Sequence, residues 1–232
     1  MTITEQPTIK LIVFDMAGTT VEDDHQVAFS LQHALQKFSF DYSIDAINVV
    51  MGYAKPLAIK KLLEKFDSPQ HLDSNLINQI HHQFVDEMIS FYATSNLVKE
   101  KENATEIFQA LRNSGIKVAI DTGFSRVIAD TIFDRLGWTA GLHYDVSITS
   151  DEVPNGRPYP DMIYRAMELC EISDKLQVAK IGDTASDLQQ GTAAGCQFVV
   201  GVTTGAYTRE ELQKEPHTHL VDNLKEILAL IR

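Results

Sequence analysis

The sequence predicts an α/β fold: a doubly wound parallel sheet with an all-helical insertion between its first and second strands. Three observations carry this. The apolar run 9–14 has the length and bounding of a buried strand. Residues 25–96 then carry helical periodicity only. From about residue 103 onward strand and helix patterns alternate, which is the signature of parallel strands joined by crossover helices.

Each element has its own reason. The first strand ends on Asp15 and turns through Gly18 and the hydroxyls of Thr19 and Thr20. In the helical block, Val27, Leu31, Ala34, Leu35 and Phe38 form one apolar stripe. Ile59, Leu62, Leu63 and Phe66 form a second, and Leu72, Leu76, Ile80, Phe84, Met88 and Phe91 a third on a longer helix. A helix over 103–113 stops at Ser114-Gly115, a C-terminal cap signal. A strand over 116–120 follows, then a helix over 125–136 closed by Gly137. Further strands are expected over 146–149, 178–181, 197–202 and 219–221, and further helices over 158–170, 185–194 and 223–231. The expected division is a core of residues 1–21 and 99–232 and a helical cap of residues 22–98 above the carboxyl edge of the sheet.

Composition narrows the function. The chain has 232 residues, is 44% hydrophobic and carries a net charge of −12. That charge argues against a nucleic-acid binder or an anionic-membrane binder. A phosphorylated small molecule stays open, because a metal and a few local cations reverse the field in one cleft. Cys170 and Cys196 lack metal-ligand spacing and read as reduced thiols of a cytoplasmic protein. No signal peptide or membrane span is expected.

Four strand ends carry polar residues in order. They are Asp15; Thr122-Gly123; Arg157 within Gly156-Arg157-Pro158-Tyr159-Pro160; and Asp183 within Gly182-Asp183-Thr184-Ala185-Ser186-Asp187. Singly each is weak: a strand-end Asp often caps a helix, and Thr-Gly is a common turn. Ligands of open α/β sheets bind outside the carboxyl ends of the strands, so the ordered set marks one site. A hydroxyl and free N–H groups after the second strand suit phosphate oxygens. Asp15 and Asp183 suit one hard divalent cation, since Mg²⁺ uses one or two carboxylates plus the substrate phosphate. A carboxylate beside such an ion is placed to attack phosphorus.

With these four segments, and with a helical block after the first, the chain resembles the haloacid dehalogenase-like hydrolases over essentially its full length. The resemblance implies a Rossmann-like core with an inserted helical cap, and a Mg²⁺-dependent hydrolase. It implies that Asp15 is nucleophile and metal ligand and that Ala17 offers its backbone carbonyl to the metal. It further implies that Thr122 and Gly123 hold phosphoryl oxygens, that Arg157 neutralises them, that Asp183 is the second metal carboxylate, and that Asp187 supports the metal site. A homodimer through the cap gains some weight from the same resemblance.

Departures from the common pattern point to one branch. Ala17 stands where most members carry a second Asp, and Arg157 where most carry Lys. Met51-Gly52-Tyr53-Ala54-Lys55 is similar to the Met-Gly-x-x-Lys of phosphonatases, in which the Lys forms a Schiff base with the substrate carbonyl and Met and Gly line the site. The chemistry ties these together. Breaking C–O leaves an alkoxide that needs an acid, worth roughly 10²–10⁴-fold. Breaking C–P leaves a carbanion, which a protonated imine absorbs as an enamine, so Ala17 is tolerated. Such a Lys must be neutral to attack, by burial or through nearby positive charge from Arg157, the metal, Lys60 or Lys61.

The expected substrate is therefore a small 2-oxo-alkylphosphonate. One feature argues for a substrate other than phosphonoacetaldehyde: phosphonatases place His three residues after the Lys, where this chain has Ala58. His25, at the entrance to the helical block, is a candidate substitute; otherwise it is an exposed residue at a helix start. Lys55 is otherwise a surface or phosphate-steering cation, and Met51 and Gly52 a packing residue and a turn glycine. Glu22-Asp23-Asp24 reads as a solvated hinge. His81-His82 and the histidines at 217 and 219 read as exposed residues rather than metal ligands. A phosphomonoesterase acting on a small phosphorylated metabolite is the rival enzyme, and a non-catalytic phospho-ligand-binding regulator the rival of another class.

Overall fold

Strand β1 (Leu11–Asp15) lies at the centre of a six-stranded, wholly parallel sheet in a computed structural model that describes residues 8–66 and 73–231. The other strands are β2 (Lys117–Thr122), β3 (Val146–Thr149), β4 (Val178–Gly182), β5 (Phe198–Val202) and β6 (His219–Val221), in the order β3-β2-β1-β4-β5-β6. The chain thus builds β2 and β3 on one side of β1 and β4 to β6 on the other. The reversal falls between β1 and β4, where a crevice opens at the carboxyl edge. All five residues of β1 are buried. Ile12 and Phe14 face one apolar layer and Leu11 and Val13 the other, as the two-residue strand period requires.

The helical block comprises α1 (Gln26–Gln36), α2 (Ile44–Asn48), α3 (Lys55–Phe66) and α4 (Ser74–Thr94). Helix α4 packs on α1 and α3, and also on core helix α6 (Arg126–Leu136). That double packing corrects the expected stripe. Ile77 and Tyr92 are buried in place of Leu76 and Phe91, which are half-buried: Tyr92 continues the four-residue row Ile80, Phe84, Met88, and Ile77 enters that row three residues before Ile80. Phe66 is 45% exposed rather than part of a buried stripe. Leu72 lies outside the described residues. The remaining helices are α5 (Ala104–Asn113), α7 (Asp161–Leu169), α8 (Ala185–Ala194), α9 (Arg209–Leu212) and α10 (Glu226–Leu230).

Several boundaries moved. Strand β2 runs on to Thr122 because its ladders to β1 and β3 continue through Asp121 and Thr122. Helix α7 begins at Asp161, not 158. Tyr159 precedes Pro160 and is disfavoured in the helical region, and its N–H closes a turn onto the Gly156 carbonyl. Helix α10 starts at Glu226, whose carboxylate takes the N–H groups of Asp222 and Asn223. The short helices α2 and α9 had no periodic signal of their own.

The two connections between sheet and helical block run side by side. The Glu22 N–H donates to the Lys99 carbonyl, the Lys101 N–H to the Thr20 carbonyl, and Lys101 Nζ pairs with Glu22 at 2.8 Å.

Candidate active site

The β1/β2 register sets Asp15 beside Asp121, and β4 delivers Asp183 one residue past its end. Asp15, Ala17, Thr122, Gly123, Arg157 and Asp183 line one small cavity of about 30 Å³ with Met51, Gly52 and Lys55 of the helical block. Nine of the ten residues expected at the site therefore meet there; the tenth, Asp187, lies behind them.

Asp187 is fully enclosed. One of its carboxylate oxygens accepts from Arg157 and from Lys180 at 3.1 Å, and the other from the Thr184 hydroxyl at 2.5 Å. Both oxygens are thus engaged by protein donors, which suits Asp187 to orienting its neighbours. Burial works against its charge, but Arg157 and Lys180 outweigh it and hold the carboxyl below its ordinary value. Arg157 is 1% exposed and reaches Asp15 at 2.7 Å through Nη2. Its Nε is buried with no partner among the described residues, which leaves one guanidinium donor free at a site expected to bind a phosphoryl oxygen.

Lys180 and Asp121 form a second buried pair that the strand patterns did not single out. A lysine inside an otherwise apolar strand was the available signal, since a fully covered parallel sheet cannot bury it unpaired. Asp15, Asp121 and Asp187 come within 4.8 Å of one another, but Arg157 and Lys180 lie among them and supply positive charge.

Asp183 differs. Among the described residues it has no cationic partner; it accepts only from Thr19 at 3.0 Å and the Ala206 N–H at 2.6 Å. Burial first, then the charges of Asp15 and Asp187, raise its carboxyl well above the ordinary value. Gly18, at φ +89°, makes room for it: a side-chain carbon there would lie 2.3 Å from Asp183 Oδ2. A cradled carboxylate facing other carboxylates and short of positive charge fits a divalent cation.

Burial raises Asp15 to about 6 despite the opposing guanidinium of Arg157. Lys55 is 3% exposed, with Nζ 5.6 Å from the Phe84 ring centroid and 5.5 Å from that of Phe124. It has no ion-pair partner among the described residues. Burial, then the charge of Arg157, lowers it to about 8. Lys60 and Lys61 take no part: one pairs with Glu64 and the other lies over Tyr53. Met51 is buried against the cavity. Gly52, at φ +81°, is required where it stands, since a side-chain carbon would fall 2.1 Å from Ser186 Oγ and 2.3 Å from Thr184 Oγ1.

Three other expectations resolve. His25 is exposed at the start of α1 and does not line the inner cavity. Asp23 is not a solvated hinge residue: it is half-buried, lines the inner cavity and accepts the Val27 N–H at 3.1 Å. His81 is half-buried rather than exposed, on a separate cavity. Cys170 and Cys196 are free thiols raised by burial to about 11 and about 12. No helix among the described residues is long and apolar enough to cross a membrane.

Residues 9–195 match the family model of haloacid dehalogenase-like hydrolases. A phosphonoacetaldehyde hydrolase of Bacillus mycoides strain KBAB4 is 31% identical over 224 residues, covering 88% of this chain and 81% of that protein. One from Bacillus cereus strain G9842 is 29% identical over 233 residues, covering 94% and 86%. Among solved structures, a hydrolase from Pseudomonas syringae superposes with a TM-score of 0.84 at 18% identity, covering 96% of this chain and 97% of that one. A phosphonoacetaldehyde hydrolase-like protein from Oleispira antarctica gives 0.81 at 17%, covering 97% and 92%. At those identities the structures establish the fold. The chain belongs to the haloacid dehalogenase-like hydrolases, in their phosphonatase-like branch.

Proposed function

We propose that this hydrolase cleaves the C–P bond of a small 2-oxo-alkylphosphonate, with Asp15 attacking phosphorus and Lys55 holding the carbonyl carbon as a Schiff base. One observation carries the reading. A buried lysine without a counter-ion among the described residues, lowered to about 8, shares a cavity with the strand-end carboxylate, and the position two residues past that carboxylate is Ala17. A steering cation would gain nothing from such burial. An amine nucleophile gains its free electron pair.

In this reading Thr122, Gly123 and Arg157 hold the phosphonate oxygens, with the unpartnered Arg157 Nε as one donor. Met51 and Gly52 close the carbonyl side. Asp15, Asp183 and the Ala17 carbonyl are the residues that would hold Mg²⁺, with Asp187 bracing Arg157. The ion, when bound, neutralises the charge between carboxylate and phosphonate. Residues 22–98 act as a cap over a core of 1–21 and 99–232. The inner cavity lies far below the roughly 300 Å³ of a small-ligand pocket, so the cap opens along the paired connections to admit substrate. The same reading keeps a cytoplasmic location and a homodimer through α1, where Phe29 is exposed.

Mg²⁺-dependent phosphate release from 2-oxo-alkylphosphonates and from a phosphomonoester panel tests this. Turnover of esters alone gives the phosphomonoesterase, and binding without turnover gives the regulator. Asp183→Ala should raise the Mg²⁺ requirement by at least about tenfold, the lower end of what losing even a supporting partner of a ligand costs. An unchanged metal titration would reduce Asp183 to a helix-start residue. The pH profile is a second check. Below about 8 the Lys55 amine is mostly protonated and inert, so imine formation should rise with pH through about 8 and level off above it. At pH 7 roughly one amine in ten is free, against roughly one in three thousand for an unperturbed lysine. A profile flat from pH 6 to 9 would rule out Lys55 as the attacking amine.

A further inference from the structure

Joining an amine to a carbonyl moves protons at two atoms, and Lys55 cannot move them alone. The carbonyl oxygen must gain two protons to leave as water, while the nitrogen sheds one. Among the described residues, five titratable side chains line the inner cavity: Asp15, Asp23, Lys55, Arg157 and Asp183. Four have other work in the reading above. Asp15 faces phosphorus, Asp183 the metal, Lys55 is the nucleophile, and Arg157 is fixed between two carboxylates that outweigh its burial and keep it charged. Asp23 is left over.

Its position fits the task. Asp23, Met51 and Ala206 line both the inner cavity and an adjoining outer cavity of about 440 Å³, so Asp23 forms part of the wall between them. The Val27 N–H fixes one of its oxygens. Asp23 and Lys55 feel each other's charge, yet no ion pair closes between them. His25, exposed at the start of α1, and Tyr92 on α4 also feel Asp23, and Glu22, Asp24, Lys99 and Lys101 line the outer cavity with it. The Tyr92 hydroxyl is buried, has no partner among the described residues and feels the charge of Asp23, so it stays a neutral donor. His81 also feels Lys55, but it lines a cavity with Ser125, Asp151 and Asn155 instead.

We infer that Asp23 is the acid–base group of the Lys55–carbonyl exchange, moving protons between the inner cavity and the outer one. The inference rests on the Schiff-base reading. The Lys55 nitrogen bonds to the carbonyl carbon, and the Asp23 carboxylate takes one proton from that nitrogen and passes it to the displaced C=O pair, leaving a hydroxyl. Asp23 then takes a second proton from the outer cavity and gives it to the hydroxyl. The C–O bond breaks, water leaves, and the nitrogen pair forms C=N⁺. Amine, carbonyl and one proton become iminium and water, with Asp23 a carboxylate again. Hydrolysis of the imine after C–P cleavage reverses each step and returns that proton to the outer cavity.

The test is rapid-quench borohydride trapping with 2-oxopropylphosphonate and Mg²⁺, reading the Lys55 adduct by mass. Asp23→Asn keeps an oxygen for the Val27 N–H but moves no proton, so trapping should slow by roughly 10²–10⁴-fold. Asp23→Glu should restore it to within about tenfold. Binding of inorganic phosphate should change less than about threefold in both variants, which shows that the site is folded. A purely electrostatic role predicts the opposite sign, because the Asp23 charge favours protonated Lys55 and its removal frees more amine. Trapping in Asp23→Asn as fast as wild type, or faster, overturns the inference and leaves the Schiff base standing. Absence of an adduct on the wild-type protein overturns both.

Discussion

Asp15→Asn should lower turnover by at least about four orders of magnitude while the protein stays folded, because removal of a covalent nucleophile costs on that scale. The amide keeps the size and an acceptor for Arg157 Nη2, which reaches Asp15 at 2.7 Å. Arg157 also retains Asp187, so no buried cation is stranded. The change removes one negative charge from a cluster in which Asp15 raises Asp183. Thermal unfolding should therefore move only slightly, and metal affinity should fall because one of two carboxylates is gone. Pure Asp15→Asn protein with near-wild-type phosphate release would end the covalent mechanism. A large drop in unfolding temperature would instead show that the Asp15–Arg157 pair is chiefly structural.

How much of this site could be read before the fold depends on what places each residue. Asp15, Thr122 and Asp183 follow apolar strands directly, and the carboxyl edge of a parallel sheet gathers whatever follows its strands. Their assembly was legible because it needs only the order of elements. Lys180 and Asp121 were not, since their pairing depends on neighbouring strands falling into register and on both faces being covered. Asp23 misled for a related reason. Between Glu22 and Asp24 it reads as solvated charge, and only the pairing of the two connections, with Lys101 on Glu22, turns it inward. In α4 the apolar residues were visible, but Ile77 and Tyr92 were chosen over Leu76 and Phe91 by a second packing surface on α6. Local pattern identified the elements; the partner elements selected the faces.

Lys55 offers the sharpest separation of function from structure: two substitutions should abolish activity, and one of them should raise stability. Lys55→Arg keeps the cation but cannot form an imine, because a guanidinium stays protonated. C–P cleavage should fall by at least about four orders of magnitude, and the borohydride adduct on the peptide containing Lys55 should vanish. A steering cation would survive this change with substantial activity and no adduct in either protein, which would transfer the chain to the phosphomonoesterase reading with fold and metal site intact. Lys55→Met should be equally inactive, yet more stable. The native side chain holds a charge between Phe84 and Phe124 without a counter-ion among the described residues, and burial lowers it to about 8 from 10.5. A lysine lowered on folding destabilises the folded state wherever it is protonated in both states. The penalty is complete below about pH 8 and fades as pH rises toward 10.5, where the unfolded chain also loses its proton. Methionine fills much of the same space without the charge, so at pH 7 it should add on the order of 1–3 kcal/mol. The gain should shrink to nothing near pH 10.5. Denaturant unfolding of both proteins across pH 6–10.5 measures it. A Lys55→Met protein less stable than wild type at pH 7 would mean that the ammonium is well accommodated, and the argument for a free amine at Lys55 would fall with it.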